Sequence, residues 1–152
     1  MSKKILITGG AGFIGSHVVR LFVNTYPDYQ VYNLDSLTYA GNLENLSDIE
    51  NAANYTFIKG DITNEDFINN LFIKHKFDSV IHLAASIDAG KSLLFLEDYY
   101  ENNFIKSKTL IDWCVSKKIK KFIFASTAAV YKPTNNVISE DSLVAPQSPY
   151  GS

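Results

Sequence analysis

The stretch Lys4-Ile5-Leu6-Ile7-Thr8-Gly9-Gly10-Ala11-Gly12-Phe13-Ile14-Gly15-Ser16-His17-Val18-Val19 decides the fold. An apolar run, Ile5-Leu6-Ile7, leads into a glycine cluster, and an apolar stretch with helical spacing, Phe13 to Val23, follows without a break. Gly10, Gly12 and Gly15 stand at G-x-G-x-x-G spacing, and Asp35 lies twenty residues further on, at the end of a second strand-like run from Gln30 to Leu34. Strand, glycine turn, helix, strand and acid in this order suit a dinucleotide. Gly10 is expected to make the tight turn out of the strand. Gly12 lets the backbone approach a pyrophosphate without a Cβ in the way. Gly15 lets the helix pack closely on the sheet, while the N–H groups at the helix start, around Phe13 and Ile14, face the phosphates. Asp35 is then placed to accept from the ribose hydroxyls, and with no arginine beside it the carboxylate favours NAD over NADP, whose 2′-phosphate it would repel.

Working outward, short apolar runs alternate with helix-like segments. Strands are expected near 3–8, 30–35, 55–59, 78–84 and 120–126, and helices near 13–25, 42–51, 65–75 and 94–118. Such alternation predicts right-handed βαβ units, hence an α/β fold of the Rossmann type: a doubly wound parallel sheet of about five strands in the order 3-2-1-4-5. The runs Ser79-Val80-Ile81-His82-Leu83 and Lys121-Phe122-Ile123-Phe124-Ala125 read as strands buried on both faces. His82 sits among apolar neighbours and reads as a packed structural histidine. Lys117, Lys118, Lys120 and Lys121 near a helix end read as a solvated run favoured by the helix dipole.

The bulk numbers narrow the function. A chain of 152 residues is one domain's worth, and a net charge of -2 with 20% charged residues argues against nucleic acid or a membrane surface as partner. Its single cysteine, Cys114, excludes an internal disulfide and reads as a small buried thiol on a helix. The start Met1-Ser2-Lys3-Lys4 leads into a strand rather than a signal-peptide core, and no apolar run is long enough to span a bilayer. A cytoplasmic protein is expected.

Further segments carry a resemblance that covers the whole chain. The glycine loop, Asp61-Ile62 after the third strand, Leu83-Ala84-Ala85 after the fourth, Ser126-Thr127 after the fifth and Tyr150 within Ser148-Pro149-Tyr150-Gly151-Ser152 resemble the extended short-chain dehydrogenase/reductase family, in particular its nucleotide-sugar epimerases and dehydratases. The resemblance implies that Gly9, Gly10, Gly12, Phe13, Ile14, Gly15, Asp35, Asp61, Ile62, Leu83, Ala84, Ala85 and Ser126 contact NAD. It also implies that Thr127 and Tyr150 are catalytic and that the substrate is a nucleotide sugar. Leu37-Thr38-Tyr39-Ala40-Gly41-Asn42-Leu43-Glu44-Asn45-Leu46 looks like the dTDP-glucose 4,6-dehydratases of the family. Tyr99-Tyr100-Glu101-Asn102-Asn103 and Phe124-Ala125-Ser126-Thr127-Ala128-Ala129-Val130-Tyr131 look like its UDP-glucose 4-epimerases. Dehydratases of this family carry Asp-Glu directly after the threonine, where Ala128 and Ala129 stand. Elimination of water needs a proton donor and acceptor there, and methyl groups cannot serve.

The chain also departs from the family pattern. Asn103-Phe104-Ile105-Lys106-Ser107 replaces Asn-Val-x-Gly-Thr, losing a glycine. The family's Tyr-x-x-x-Lys pair needs a lysine four residues beyond Tyr150, whereas the sequence runs to Ser152, so residues 1–152 read as the NAD-binding domain without the substrate domain. The implied chemistry is transient oxidation: a tyrosine beside positive charge takes the proton of the sugar C4 hydroxyl as hydride leaves for NAD, with Thr127 holding the same oxygen. Without the lysine, a phenol keeps more nearly its ordinary pKa of about 10, and the isolated chain is expected not to turn over sugar nucleotides. Thr127 and Tyr150 also have plain structural readings: a hydroxyl capping a turn, and an aromatic in a frayed tail. Tyr131 reads as packing. Two alternatives stay open. Ala85-Ser86-Ile87-Asp88-Ala89-Gly90-Lys91-Ser92 fits a relaxed P-loop that would wrap phosphates. The chain could also be a module that holds cofactor and does no chemistry. An open edge at the fifth strand predicts a homo-oligomer paired or swapped through that edge.

Overall fold

The computed structural model describes residues 2–152. Five parallel strands form one sheet in the order β3-β2-β1-β4-β5, as expected. They are β1 (Lys3–Thr8), β2 (Tyr29–Asp35), β3 (Tyr55–Lys59), β4 (Ser79–His82) and β5 (Lys121–Phe124). Ile7 of β1 pairs with Asn33 of β2 on one side and Ile81 of β4 on the other, so the chain exits β1, β2 and β4 at one end of the sheet.

Side chains alternate across the pleat, and two cores result. Leu6, Leu34 and Val80 point to one face and pack with Ile68, Leu71 and Phe72 of α2 (Glu65–His75) and with Leu110 and Cys114 of α5 (Lys106–Ser116). Ile5, Ile7, Val31 and Ile81 point to the other face and meet Val19 and Val23 of α1 (Phe13–Thr25), Leu46 and Ile49. Helices on both faces make the sheet doubly wound. Two shorter helices, α3 (Ala89–Ser92) and α4 (Leu96–Tyr99), fall between β4 and α5. The chain forms two compact units. One comprises residues 2–84 and Thr109–Phe124 and holds the whole sheet; the other comprises Ala85–Lys108 and Ala125–Ser152.

Three expectations are corrected. The helix expected over 42–51 is one 3-10 turn, Leu43–Leu46. Asn42 caps the start of that turn by accepting from the Glu44 N–H, and the Asn45 amide reaches out of it to the distant Ala11 carbonyl. The helix expected over 94–118 is α4, a π-helical stretch Tyr100–Ile105 and then α5, with α3 as an addition before it. Lastly, β5 is not buried on both faces: Ile123 and Phe124 are 57% and 51% exposed, and among the described residues β5 pairs only with β4, at the edge of the sheet.

Candidate functional site

At the end of β1 the chain turns sharply at Gly9, whose φ of +73° is the only positive glycine φ among the described residues. The turn therefore belongs to Gly9 and not to Gly10. A Cβ on Gly9 would lie 2.6 Å from the Ala84 nitrogen, so the loop enters hard against the end of β4. Gly10 instead leaves room for the Asn33 side chain beneath it. That side chain is fully buried, and among the described residues its Oδ1 has no hydrogen-bond partner. Gly15 serves the loop rather than the sheet: its Cβ would stand 2.1 Å from the Gly9 carbonyl oxygen.

Gly12 differs from these. It is the N-cap of α1, in extended conformation, and a Cβ there would meet nothing nearer than the Gly9 oxygen at 3.4 Å. No neighbouring atom demands a glycine at this position. What a Cβ would fill is the space before the helix start, where α1 has neither a side-chain cap nor an acidic residue in its first turn, and where Phe13 and Ile14 are 80% and 67% exposed. Backbone N–H groups and the positive end of the helix dipole are thus left open to an anion. The residues present fit the diphosphate of a dinucleotide.

Asp35 closes this loop. Its Oδ2 accepts from the Ala11 N–H at 2.9 Å, and its Oδ1 accepts from Leu37 at 2.8 Å, which supports Leu37 in a left-handed conformation (φ 55°). Each carboxylate oxygen has capacity for a second bond, so the role toward ribose hydroxyls is compatible with this loop-holding role. The Ala11 carbonyl in turn accepts from the Asn42 N–H and the Asn45 amide, both at 3.0 Å. Arg20 of α1 extends the brace, gripping Asp48 at 2.6 Å and donating to the Asn45 carbonyl. Sequence spacing does not reveal Asn42, Asn45 or Arg20.

Elsewhere in the same unit, Asp61 is exposed and folds its carboxylate back on the Thr63 N–H at 2.9 Å. Ile62 is a core residue, 8% exposed. Leu83 and Ala84 are half-buried at the end of β4, beside Thr8. His82 is fully packed, with Nδ1 2.6 Å from the Thr8 hydroxyl, and burial lowers its pKa to about 4. It is structural, as read from the sequence.

Ala85, Ser126, Thr127 and Tyr150 belong to the second unit. Ala85 and Ser126 are exposed, and both Thr127 and Tyr150 are half-buried. The strip that follows Thr127 runs antiparallel to the strip that leads to Tyr150: Tyr131 bridges Val144, and the Ala145 N–H donates to the Val130 carbonyl at 3.0 Å. The two ends close where Gly151 lies so near Ala129 that a Cβ would be 2.3 Å from its carbonyl oxygen. Thr127 does cap a turn, its Oγ1 accepting from the Ala129 N–H at 3.2 Å. A hydroxyl that accepts from Ala129 keeps its own proton to donate. Tyr150 is packed rather than frayed: its ring stands edge-on to Tyr99, 6.5 Å between centroids.

Residues 5–152 match the family described as NAD dependent epimerase/dehydratase. The chain belongs to this family. The mouse dTDP-D-glucose 4,6-dehydratase is 38% identical over 152 residues, 99% of this chain and 43% of that protein. Among solved structures, the UDP-Glc/GlcNAc 4-epimerase of Campylobacter jejuni superposes with a TM-score of 0.89 at 39% identity, over 98% of this chain and 45% of that one. The NAD complex of the dTDP-glucose 4,6-dehydratase of Bacillus anthracis gives a TM-score of 0.84 at 32% identity, over 98% and 46%. The chain thus spans less than half the length of these relatives.

An epimerase/dehydratase-family reading of the loop 85–92 displaces the P-loop alternative. Asp88 accepts from the Lys91 N–H at 3.0 Å and caps α3, with the Lys91 ammonium 3.9 Å from the same carboxylate, so an acid occupies the helix start where a P-loop would hold phosphate. Asn103, at the family's Asn-Val-x-Gly-Thr position, clamps this loop by accepting from the Ser86 N–H at 2.8 Å and donating to the Ser86 carbonyl at 2.9 Å. Among the described residues there is no cluster able to hold a metal ion and no helix long and apolar enough to cross a membrane.

Proposed function

We propose that this chain is the NAD-binding part of a nucleotide-sugar 4-epimerase that acts on an NDP-hexose by transient oxidation at C4. The observation that carries the reading is the unit that joins Thr127 to Tyr150 through Ala129 and Gly151, with methyl groups at the two positions after the threonine. NAD supplies the acceptor for the hydride from C4. Gly9, Gly10, Gly12, Phe13, Ile14 and Gly15 offer backbone to its diphosphate, while Asp35 takes the ribose hydroxyls and its charge rejects a 2′-phosphate. The Thr127 hydroxyl, which accepts from the Ala129 N–H, donates a hydrogen bond to the C4 oxygen and orients it. Tyr150 takes the proton of the C4 hydroxyl as the carbonyl forms, and returns it to the C4 oxygen when the hydride comes back to the other face of the sugar. Ala128 and Ala129 hold no proton to give or take, which supports epimerisation over loss of water.

A dehydratase is the second reading. It is supported by the 38% identity to the mouse dehydratase and by the segment 37–46. Calorimetric titration separates the cofactor readings: heat with NAD⁺, and none with ATP, is expected, and silence with NAD⁺ overturns the proposal. The 152-residue chain by itself is expected to leave UDP-glucose unchanged. Release of a 4-keto-6-deoxy sugar would favour the dehydratase, and formation of the C4 epimer would show that these residues suffice for turnover.

A further inference from the structure

Tyr150 owes its place to a residue 58 positions earlier in the chain. Ser92 ends α3 and is fully buried. Its hydroxyl donates to the Ala89 carbonyl at 2.6 Å, which commits the proton and turns a lone pair outward; that lone pair accepts from the Tyr150 N–H at 3.2 Å. Tyr99, 7% exposed, presents its ring perpendicular to that of Tyr150. Edge-to-face pairs of this kind hold a ring at a defined tilt. Beyond Tyr150, the Gly151 backbone is fixed twice by Ser148, through its carbonyl at 3.0 Å and its hydroxyl at 3.2 Å. Three independent restraints thus act on one short segment: a hydrogen bond on the amide of Tyr150, a ring on its side chain and a turn on its successor.

We infer that Ser92 and Tyr99 are positioning residues for the Tyr150 phenol. Ser92 sets the backbone from which the side chain springs, and Tyr99 sets the direction of the ring. Neither touches the sugar in this scheme; both act through Tyr150. The inference rests on Tyr150 being the acid–base group, but its test is read on the protein without any nucleotide. Loss of NAD binding would therefore sink the proposed function and leave these measurements standing.

The test is amide hydrogen exchange together with the ring-carbon NMR signal of tyrosines labelled at Cζ. In Ser92→Ala the Tyr150 amide is expected to exchange at least tenfold faster, while the amides of Ile7 and Val80 in the sheet keep their protection. Tyr99→Leu is expected to shift and broaden the Tyr150 ring signal, whereas Tyr99→Phe, which keeps the ring, restores it. A purely structural serine would loosen the unit as a whole, and the Ala145 amide bonded to Val130 would lose protection in step with Tyr150. The inference is overturned if Tyr150 exchanges alike in the parent and in Ser92→Ala, or if Tyr99→Leu leaves its ring signal unchanged. Should Ser92→Ala fail to fold, the Tyr99 pair decides alone.

Discussion

Two alanine substitutions three residues apart are expected to fail in opposite ways. In Gly15→Ala the new methyl carbon would sit 2.1 Å from the Gly9 carbonyl oxygen and 2.8 Å from the Gly10 Cα, both backbone atoms that cannot swing aside. Overpacking of this kind costs about 1–3 kcal/mol, toward the upper end where the obstacle is main chain. Alanine returns about 1 kcal/mol as the better helix former. The net loss of about 2 kcal/mol corresponds to a fall in Tm of roughly 4–8 °C for a chain of this size. In Gly12→Ala the methyl meets only the Gly9 oxygen at 3.4 Å and the Ala40 oxygen at 3.9 Å, ordinary contacts, and the local φ of -75° suits alanine. Loss of a glycine N-cap to alanine costs under about 1 kcal/mol, so the melting curve moves little. The same methyl, however, stands where the diphosphate must come close to the helix start. A contact that overpacks by about 2–3 kcal/mol weakens NAD⁺ roughly 30- to 150-fold. Differential scanning calorimetry and isothermal titration read the two effects separately. If Gly12→Ala binds NAD⁺ within about threefold of the parent, the space before α1 is not the diphosphate site. If Gly15→Ala melts with the parent, the contact of α1 on the glycine loop is wrong.

Three further outcomes follow from burial and exposure. His82 has a folded pKa of about 4 against an ordinary 6.5, so the unfolded chain takes up the proton more readily; stability is held above pH 6.5 and lost as pH falls toward 4. At 1.36 kcal/mol per pH unit the loss is roughly 3 kcal/mol, and His82→Gln should flatten that part of a denaturation series; an unchanged slope refutes it. His75, also lowered by burial and by Lys74 and Lys4, adds in the same direction, so the comparison is cleanest in a His75→Gln background. Cys114 is 3% exposed, and burial raises its pKa to about 12, so a thiol reagent should label it only at the rate of unfolding; rapid stoichiometric labelling of the folded protein would contradict this. The open edge of β5, with Ile123 and Phe124 more than half exposed, is expected to self-associate, and light scattering that gives a monomer at high concentration counts against it.

The parts of the molecule legible in the sequence are those governed by local rules. β1, the glycine loop and α1 fall where the pattern puts them, because alternation and helical spacing each recur within a few residues. The strand order follows from that alternation and the handedness of βαβ connections. The segment 42–51 misleads because its spacing suits a helix while the Asn45 side chain is spent on the distant Ala11 carbonyl. The apolar text of β5 is the same whether a strand is central or at an edge, so burial of Ile123 and Phe124 could not be read from it.

The site divides along the same line. Gly12 and Asp35 announce themselves because a dinucleotide demands fixed spacing from one βαβ unit. Yet the spacing points only to the proposed ligand-facing role of Asp35, and not to the bonds to Ala11 and Leu37 that keep its carboxylate in place. Thr127 and Tyr150 are visible only by resemblance, since nothing periodic links a strand end to a residue more than twenty positions later. What joins them is Gly151 against Ala129, and what seats Tyr150 is Ser92, contacts whose partners lie far apart in the chain and whose residue types are common. A buried serine that donates to one carbonyl and accepts from one amide is identical in sequence to a serine on any surface. Its role exists only in the closed loop of bonds, which is why the seating of Tyr150 is written in tertiary structure and the glycine loop in primary structure.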